Sequence, residues 1–370
     1  MLGLVEIRRR KLQFALIGLV VTLITYLVLM VNGLGIGLKE LAGRALLSWD
    51  ADAIAYAGTS NLSVIRSELS NAAVSSARQI PGVTDASPLG YYGVDVRRSD
   101  GSAMSVKSAA LLGFDLGSIG QPQVISGRNL EPGDAQAVLA DRSFLKAAGL
   151  HVGDSVTLAY GLSSNRFHIV GEIDEGAFLF QPTIYALRTT WQQMKYGGNG
   201  PDEPAASIVL LKGEHLAGQA APGLQVVSKS SAFNNIEGVS AQQQTVNALA
   251  FFGYLIGALV IGVFFYVLTV QKVPQIGVLK AIGASSTFVA TQIVVQVLAL
   301  ALGGVIVAVP LAWLTSKGLQ QLPQQVPLAF TTGAFVVTSV AMVVTALIGA
   351  LLSAWQAVRV DPIIALGQQQ

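Results

Sequence analysis

The stretch Phe14–Leu34, FALIGLVVTLITYLVLMVNGL, decides the fold. It carries no charged residue, and a helix needs roughly 20 apolar residues to cross a hydrocarbon layer about 30 Å thick. Three further runs have the same character: Val246 to Val270, Phe288 to Leu314 and Gly333 to Trp355. They predict four membrane-spanning helices. Composition agrees, since only 12% of the 370 residues are charged and the mean hydropathy is +0.57. A net charge of +2 gives no basis for a nucleic-acid partner. With no cysteine in the chain, disulfides, thiolate metal sites and a cysteine nucleophile are excluded.

Orientation follows from the short flanks, because Lys and Arg are retained in the cytoplasm. The cluster Arg8-Arg9-Arg10-Lys11 faces a single acid, Glu6, ahead of the first run. That run is too long for the apolar region of a signal peptide, and no small-x-small site follows it cleanly, so it reads as an uncleaved anchor. The segment between the second and third runs has Lys272 and Lys280 and no acid; the tail has Arg359 beside Asp361; the third connection has only Lys317. Both termini and loop 271–286 are therefore expected in the cytoplasm, with Gly35 to Thr245 outside. The expected organisation is 1–37 for the N-terminus and first span, 38–245 for an extracytoplasmic domain, and 246–370 for three spans ending in a tail at 356–370.

The long insert is punctuated by turn signals at Pro81-Gly82, Ser99-Asp100-Gly101, Pro132-Gly133 and Gly153-Asp154. Short β-rich runs lie between them, including Tyr92 to Arg97, Ser155 to Ala159 and Phe167 to Val170. Asn61 to Gln79 and Arg142 to Ala148 read as helices. The fold class is thus membrane α-helical with an α+β extracytoplasmic domain between the first two spans. His151, His168 and His215 show no ligand spacing and read as surface or packing residues. No nucleophile elbow, paired carboxylates or phosphate-binding Gly-x-x-x-x-Gly-Lys-Ser/Thr loop is present, so neither hydrolytic chemistry nor direct ATP binding is indicated.

Loop 271–286 contains Gln275-Ile276-Gly277-Val278-Leu279-Lys280-Ala281-Ile282-Gly283-Ala284-Ser285, which resembles the signature between the second and third helices of FtsX-like (MacB-type) permeases. Ala357-Val358-Arg359-Val360-Asp361-Pro362-Ile363-Ile364-Ala365-Leu366 is similar to the ending of that family. Ile125 to Arg128, Val138 to Asp141 and Gly149 to Asp154 resemble its outer domain. Gln275 stands where the family has an acid. The resemblance implies a permease that pairs with a second copy and with a separate cytoplasmic ATPase. The ATP is held by that partner and no cofactor is intrinsic to the chain. A coupling helix would use Gln275, Ile276, Gly277, Leu279, Lys280, Ile282 and Gly283. The loop's own pattern fits, with Ile276, Leu279 and Ile282-Gly283 as an apolar stripe and Lys280 toward water; a plain hairpin linker is the alternative.

Within the family, Glu6 to Phe14, Leu23 to Val28 and Asp52 to Tyr56 resemble the heme-efflux branch (HrtB-like, DevC-related). That implies heme as the substrate, with no metal beyond its own iron. Heme requires an apolar groove, an axial ligand and basic partners for two propionates. Gly18, Thr22, Tyr26 and Met30 form a small and polar stripe on the first span, suited either to such a groove or to helix packing. Lys39 and Arg44 suit propionates, or snorkel at the lipid interface. Glu237 suits iron, or the favourable field at the start of the next helix; the resemblance implies an acid near this junction. Tyr185 is a further ligand candidate. Phe251, Phe252 and Tyr254 suit a groove wall or an interfacial belt, with membrane lipid as neighbour. Other readings are release of lipoproteins or other hydrophobic cargo, or mechanical driving of an extracytoplasmic cell-wall hydrolase.

Overall fold

The structure is a computed structural model and describes residues 11–99, 101–161, 163–198, 200, 203–319 and 326–359. Arg8 to Arg10, Asp100 and the tail motif beyond Arg359 lie outside the described residues. The chain divides into one unit of residues 1–37 with 242–370, and another of residues 38–241.

Four helices are long and apolar enough to cross a membrane: α1 (Lys11–Ser48) and, numbered in chain order after the elements of the intervening domain, α6 (Val239–Gln271), α8 (Ser286–Leu319) and α9 (Thr332–Arg359). Each extends past the charge-free run that predicts it. In the first unit they share a core of Phe14, Ile17, Val21, Ile261, Phe265, Val297 and Ala346. Large apolar side chains also point outward, among them Leu259 at 58%, Ile306 at 70% and Val337 at 68% exposed. A water-facing protein does not tolerate such a surface, whereas a bilayer requires it. Small residues allow close crossings: a Cβ on Gly349 would lie 2.3 Å from the Ala258 carbonyl oxygen, and one on Gly262 would lie 2.7 Å from that of Gly349. Asn32 Nδ2 donates to Thr338 Oγ1 at 3.0 Å, which satisfies one of the few strong dipoles in the helices.

The second unit is α+β. Its strands are β1 (Ala53–Ala57), β2 (Val83–Arg98), β3 (Ser108–Phe114), β4 (Val124–Gly127), β5 (Ala137–Asp141), β6 (Ser155–Tyr160), β7 (Ser163–Ile173), β8 (Ala177–Phe178), β9 (Gln181–Leu187), β10 (Ile208–Gly213), β11 (Ala220–Ala221) and β12 (Leu224–Ser228). The order is β11-β12-β1-β10-β2-β3-β9-β5-β7-β4, and β6 joins β2 to β7. The pairings β2-β3-β9-β5-β7-β6-β2 therefore close a ring, which removes strand edges along that part. Strand β2 is long enough to serve both halves, pairing with β10 through Leu89 and with β3 from Gly90 onward.

Helices cover both faces of these strands, so alternate residues go to two cores rather than to core and water. Leu112, Phe114, Leu139 and Tyr185 join Ala45, Leu46 and Trp49 from the end of α1 and Ala232 of α5 (Lys229–Asn234). Leu111, Ala140, Ile169 and Ile184 join Phe144 of α3 (Arg142–Ala148) and Trp191 of α4 (Arg188–Tyr196). Helix α3 has the predicted bounds because Asp141 caps its first turn through the Ser143 N–H at 2.8 Å, and Gly149 ends it in a left-handed conformation. The helix expected over Asn61 to Gln79 is only α2 (Asn71–Arg78). Asn61 and Leu62 are left-handed at φ 52° and 60°, Leu69 bridges to Ala206, and Ser70 caps a fresh start.

Candidate functional site

Two groups of residues merit description, one in each unit. The first is the segment between α6 and α8. It folds as α7 (Val273–Ala281), with Pro274 near its start, where a missing N–H costs nothing. The structure divides the stripe expected from sequence. Ile276 and Gly277 are buried, and Leu279 packs against the same core as Phe265 and Ile293. Ile282 lies beyond the end of the helix and is 79% exposed, and Val278 is 44% exposed. Ile276 and Leu279 thus fix the segment to its own helices, while Val278, Ile282 and Gly283 form its open apolar surface. Gln275 is exposed and Lys280 half-buried. Beside the segment, a cavity of about 160 Å³ opens between Leu268, Lys272, Gln275, Ile276, Phe288 and Gln292. Val278 was not singled out in the sequence; its signal is a branched apolar residue two positions from Ile276, on the opposite side of the helix.

The second group comprises the heme-ligand candidates. In the first unit, the Gly18–Met30 stripe lies along α8: Gly18 approaches Leu300, Gly304 approaches the Thr22 backbone, and Tyr26 Oη donates to Thr315 Oγ1 at 3.2 Å. Met30 is half-buried and packs against the cluster of Leu29, Ala308 and Ala312. Phe251 and Phe252 are exposed at 61% and 56%.

In the second unit, Tyr185 is fully buried and accepts a hydrogen bond from Trp49 Nε1 at 3.2 Å. Burial pushes its phenol well above the ordinary range. The structure gives it a core role, because a ligand could reach its oxygen only by opening the sheet. Arg44 is ion-paired with Asp174 at 3.2 Å, and Lys39 is half-buried with no ion pair among the described residues. Glu237 differs from these. It is half-buried, yet among the described residues its Oε2 is sealed from solvent without a hydrogen-bond partner. The Tyr56 hydroxyl is likewise sealed and partnerless. Burial first, and the charge of Glu237 second, push the phenols of Tyr56 and Tyr91 upward. A carboxylate oxygen held without a donor is uncommon inside a protein and calls for a ligand or a proton. Among the described residues, no three His, Asp or Glu side chains gather as a metal site. His151 lies 3.8 Å from Asp154, and His168 bonds to Ser155 at 3.0 Å.

Residues 247–362 match the FtsX-like permease C-terminal family model. That segment holds the last three of the four apolar helices, and the sheet-rich domain lies between the first two. Over nearly its whole length it is similar to the "Putative hemin transport system permease protein HrtB" of Staphylococcus haemolyticus: 25% identity over 362 residues, 98% of this chain and 97% of that one. The protein of the same name from Staphylococcus epidermidis is 32% identical over 148 residues, 40% of this chain and 41% of that one. An uncharacterized ABC transporter permease of Mycobacterium tuberculosis is 24% identical over 366 residues, covering 98% and 97%. Among solved structures, the periplasmic region of MacB from Actinobacillus actinomycetemcomitans matches 51% of this chain and 94% of its own at 15% identity, with a TM-score of 0.36.

Proposed function

We propose that this chain is the membrane half of an ATP-driven exporter that takes heme from the outer leaflet of the bacterial cytoplasmic membrane. In this reading both termini and α7 face the cytoplasm and residues 38–241 lie outside. A separate ATPase docks on α7 through Val278 and Ile282, and two copies of the chain enclose the pathway. The partnerless Oε2 of Glu237 is the observation that carries the substrate reading, supported by the name of the full-length staphylococcal relative. A bare carboxylate oxygen can meet the ferric iron. Met30 offers a thioether from the span, and Lys39 an ammonium for a propionate. ATP binding by the partner would draw the helices together and expel the flat, apolar cargo.

Titration of purified protein with hemin tests this. A shifted Soret band is expected, weakened in Glu237→Ala and in Met30→Ala. An unchanged band and affinity in the double variant removes both residues from the site.

A mechanical role is the second reading. It is favoured by the end of α1, where Ala42, Ala45, Leu46 and Trp49 are built into the core of the second unit. Movement of that segment would then work an external partner with no cargo passing. Hemin stimulation of the co-purified ATPase supports export; ATPase activity indifferent to hemin supports the mechanical role.

A further inference from the structure

Strands β8 and β9 are joined by Leu179 and Phe180, both left-handed at φ 51° and 63°. Two-residue hairpin turns with positive φ at both positions normally hold Asn, Asp or Gly, because a side chain there meets the backbone. The backbone of this turn has a clear task. Leu179 N–H donates to the Ala42 carbonyl at 2.8 Å and Phe180 N–H to that of Leu41 at 3.0 Å. These carbonyls fall where α1 leaves helical geometry at Gly43.

That task does not explain the side chains, since Asn-Gly would donate the same two bonds without strain. Leu179 rests against the core of the second unit, but Phe180 is 39% exposed and its neighbour Leu41 is 36% exposed. The Phe180 ring also lies 3.5 Å from where a Cβ on Gly238 would stand. Phe180 therefore meets the chain at both points where it passes to the spanning helices. Leu41 follows the apolar run ending at Leu34 by about two helical turns, roughly 10 Å of rise, and Gly238 immediately precedes α6.

We infer that Leu41 and the Leu179-Phe180 turn form a lipid-dipping tip, which seats the domain on the boundary between headgroups and acyl chains. Phe and Leu side chains on a surface segment bury at that depth. Lys39, half-buried and without an ion pair among the described residues, is placed to reach lipid phosphates. The strained turn is then retained because its two positions must be apolar. The inference rests on the spanning helices and is independent of the cargo.

The cysteine-free chain permits a clean test. Phe180→Cys and, separately, Leu41→Cys are labelled with an environment-sensitive fluorophore in the full-length protein. Each is reconstituted in phosphatidylcholine–phosphatidylglycerol nanodiscs. Nitroxide groups on the lipid headgroup or upper acyl chain should quench both labels, and aqueous iodide should leave them bright. Quenching by iodide and not by lipid nitroxide, at either position, overturns the inference. Protection from both quenchers also overturns it, since the tip would then be covered by protein, including a second copy.

Discussion

Gly90 and Gly113 sit directly opposite one another in the β2–β3 ladder, and Trp191 lies on the floor their missing side chains leave. A Cβ on Gly90 would stand 2.1 Å from Trp191 Cδ2, whereas ordinary van der Waals contact begins near 3.4 Å. The indole would have to retreat by more than 1 Å. It is fully buried, with Tyr196 edge-on at 5.6 Å, so it has no room. Gly90→Ala should therefore cost about 1–3 kcal/mol through overpacking. Trp191→Ala should cost about 3–5 kcal/mol through the cavity it leaves. In the Trp191→Ala background the added methyl enters empty space and should be neutral or stabilising. The double variant should then be more stable than the sum of the singles predicts by at least ~1 kcal/mol. Denaturant unfolding of the full chain in detergent micelles, followed by near-ultraviolet circular dichroism, measures all four corners of the cycle. Effects that add within ~0.5 kcal/mol would refute the assignment of Trp191 as the group that forbids a side chain at position 90.

Three further outcomes follow. Ile282→Asp places a charge on the open apolar surface of α7 and should weaken capture of the proposed ATPase partner by about 2 kcal/mol, roughly 30-fold, with the fold intact; unchanged co-purification would move the proposed docking surface elsewhere. Gly349→Val should force α6 and α9 apart by about 1 Å to restore a normal contact with the Ala258 carbonyl oxygen, lowering stability by ~1–3 kcal/mol in a thermal melt, with a smaller loss for Gly349→Ala. Burial raises the phenols of Tyr56, Tyr91 and Tyr185, so the unfolded chain loses their protons first, near pH 10. Their contribution is fully present below about pH 10 and is lost as pH rises toward the folded values. Phenolate absorbance from these three should appear together with unfolding, and ionisation near pH 10 in a still-folded chain would contradict the burial.

The spans are legible because a charge-free run has few fates in water, and α3 because its Asp141 and Gly149 caps are local. The partial failures have a common origin in distance along the chain. Tyr185 reads as an ordinary strand tyrosine until β9 is found between β3 and β5, with helices over both faces. Asn61 to Ser70 has helix-compatible residues, but the left-handed pair at 61 and 62 and the bridge to Ala206 set its course. In the segment at 271–286, sequence spacing groups Ile276 with Ile282; the helix stops at Ala281, and the two side chains part. Met30 and the stripe below it suit packing and ligation equally in sequence, and the structure adds their close approach to α8. The sealed oxygen of Glu237 carries no sequence signal, because it arises from what surrounds the carboxylate.

The position of β1 bears on how the protein is made. Its Ala53–Ala57 backbone lies between β10 and β12, which run from Ile208 and from Leu224. Ribosomes add about 5–20 residues each second, so β1 waits on the order of ten seconds or longer for the strands that flank it. During that interval an apolar, ladder-ready segment stands bare a few residues beyond a helix already seeking the bilayer. Closing so wide a loop is also slow in itself. Nascent chains stalled before Ser228 should therefore be the ones most readily degraded or captured by chaperones.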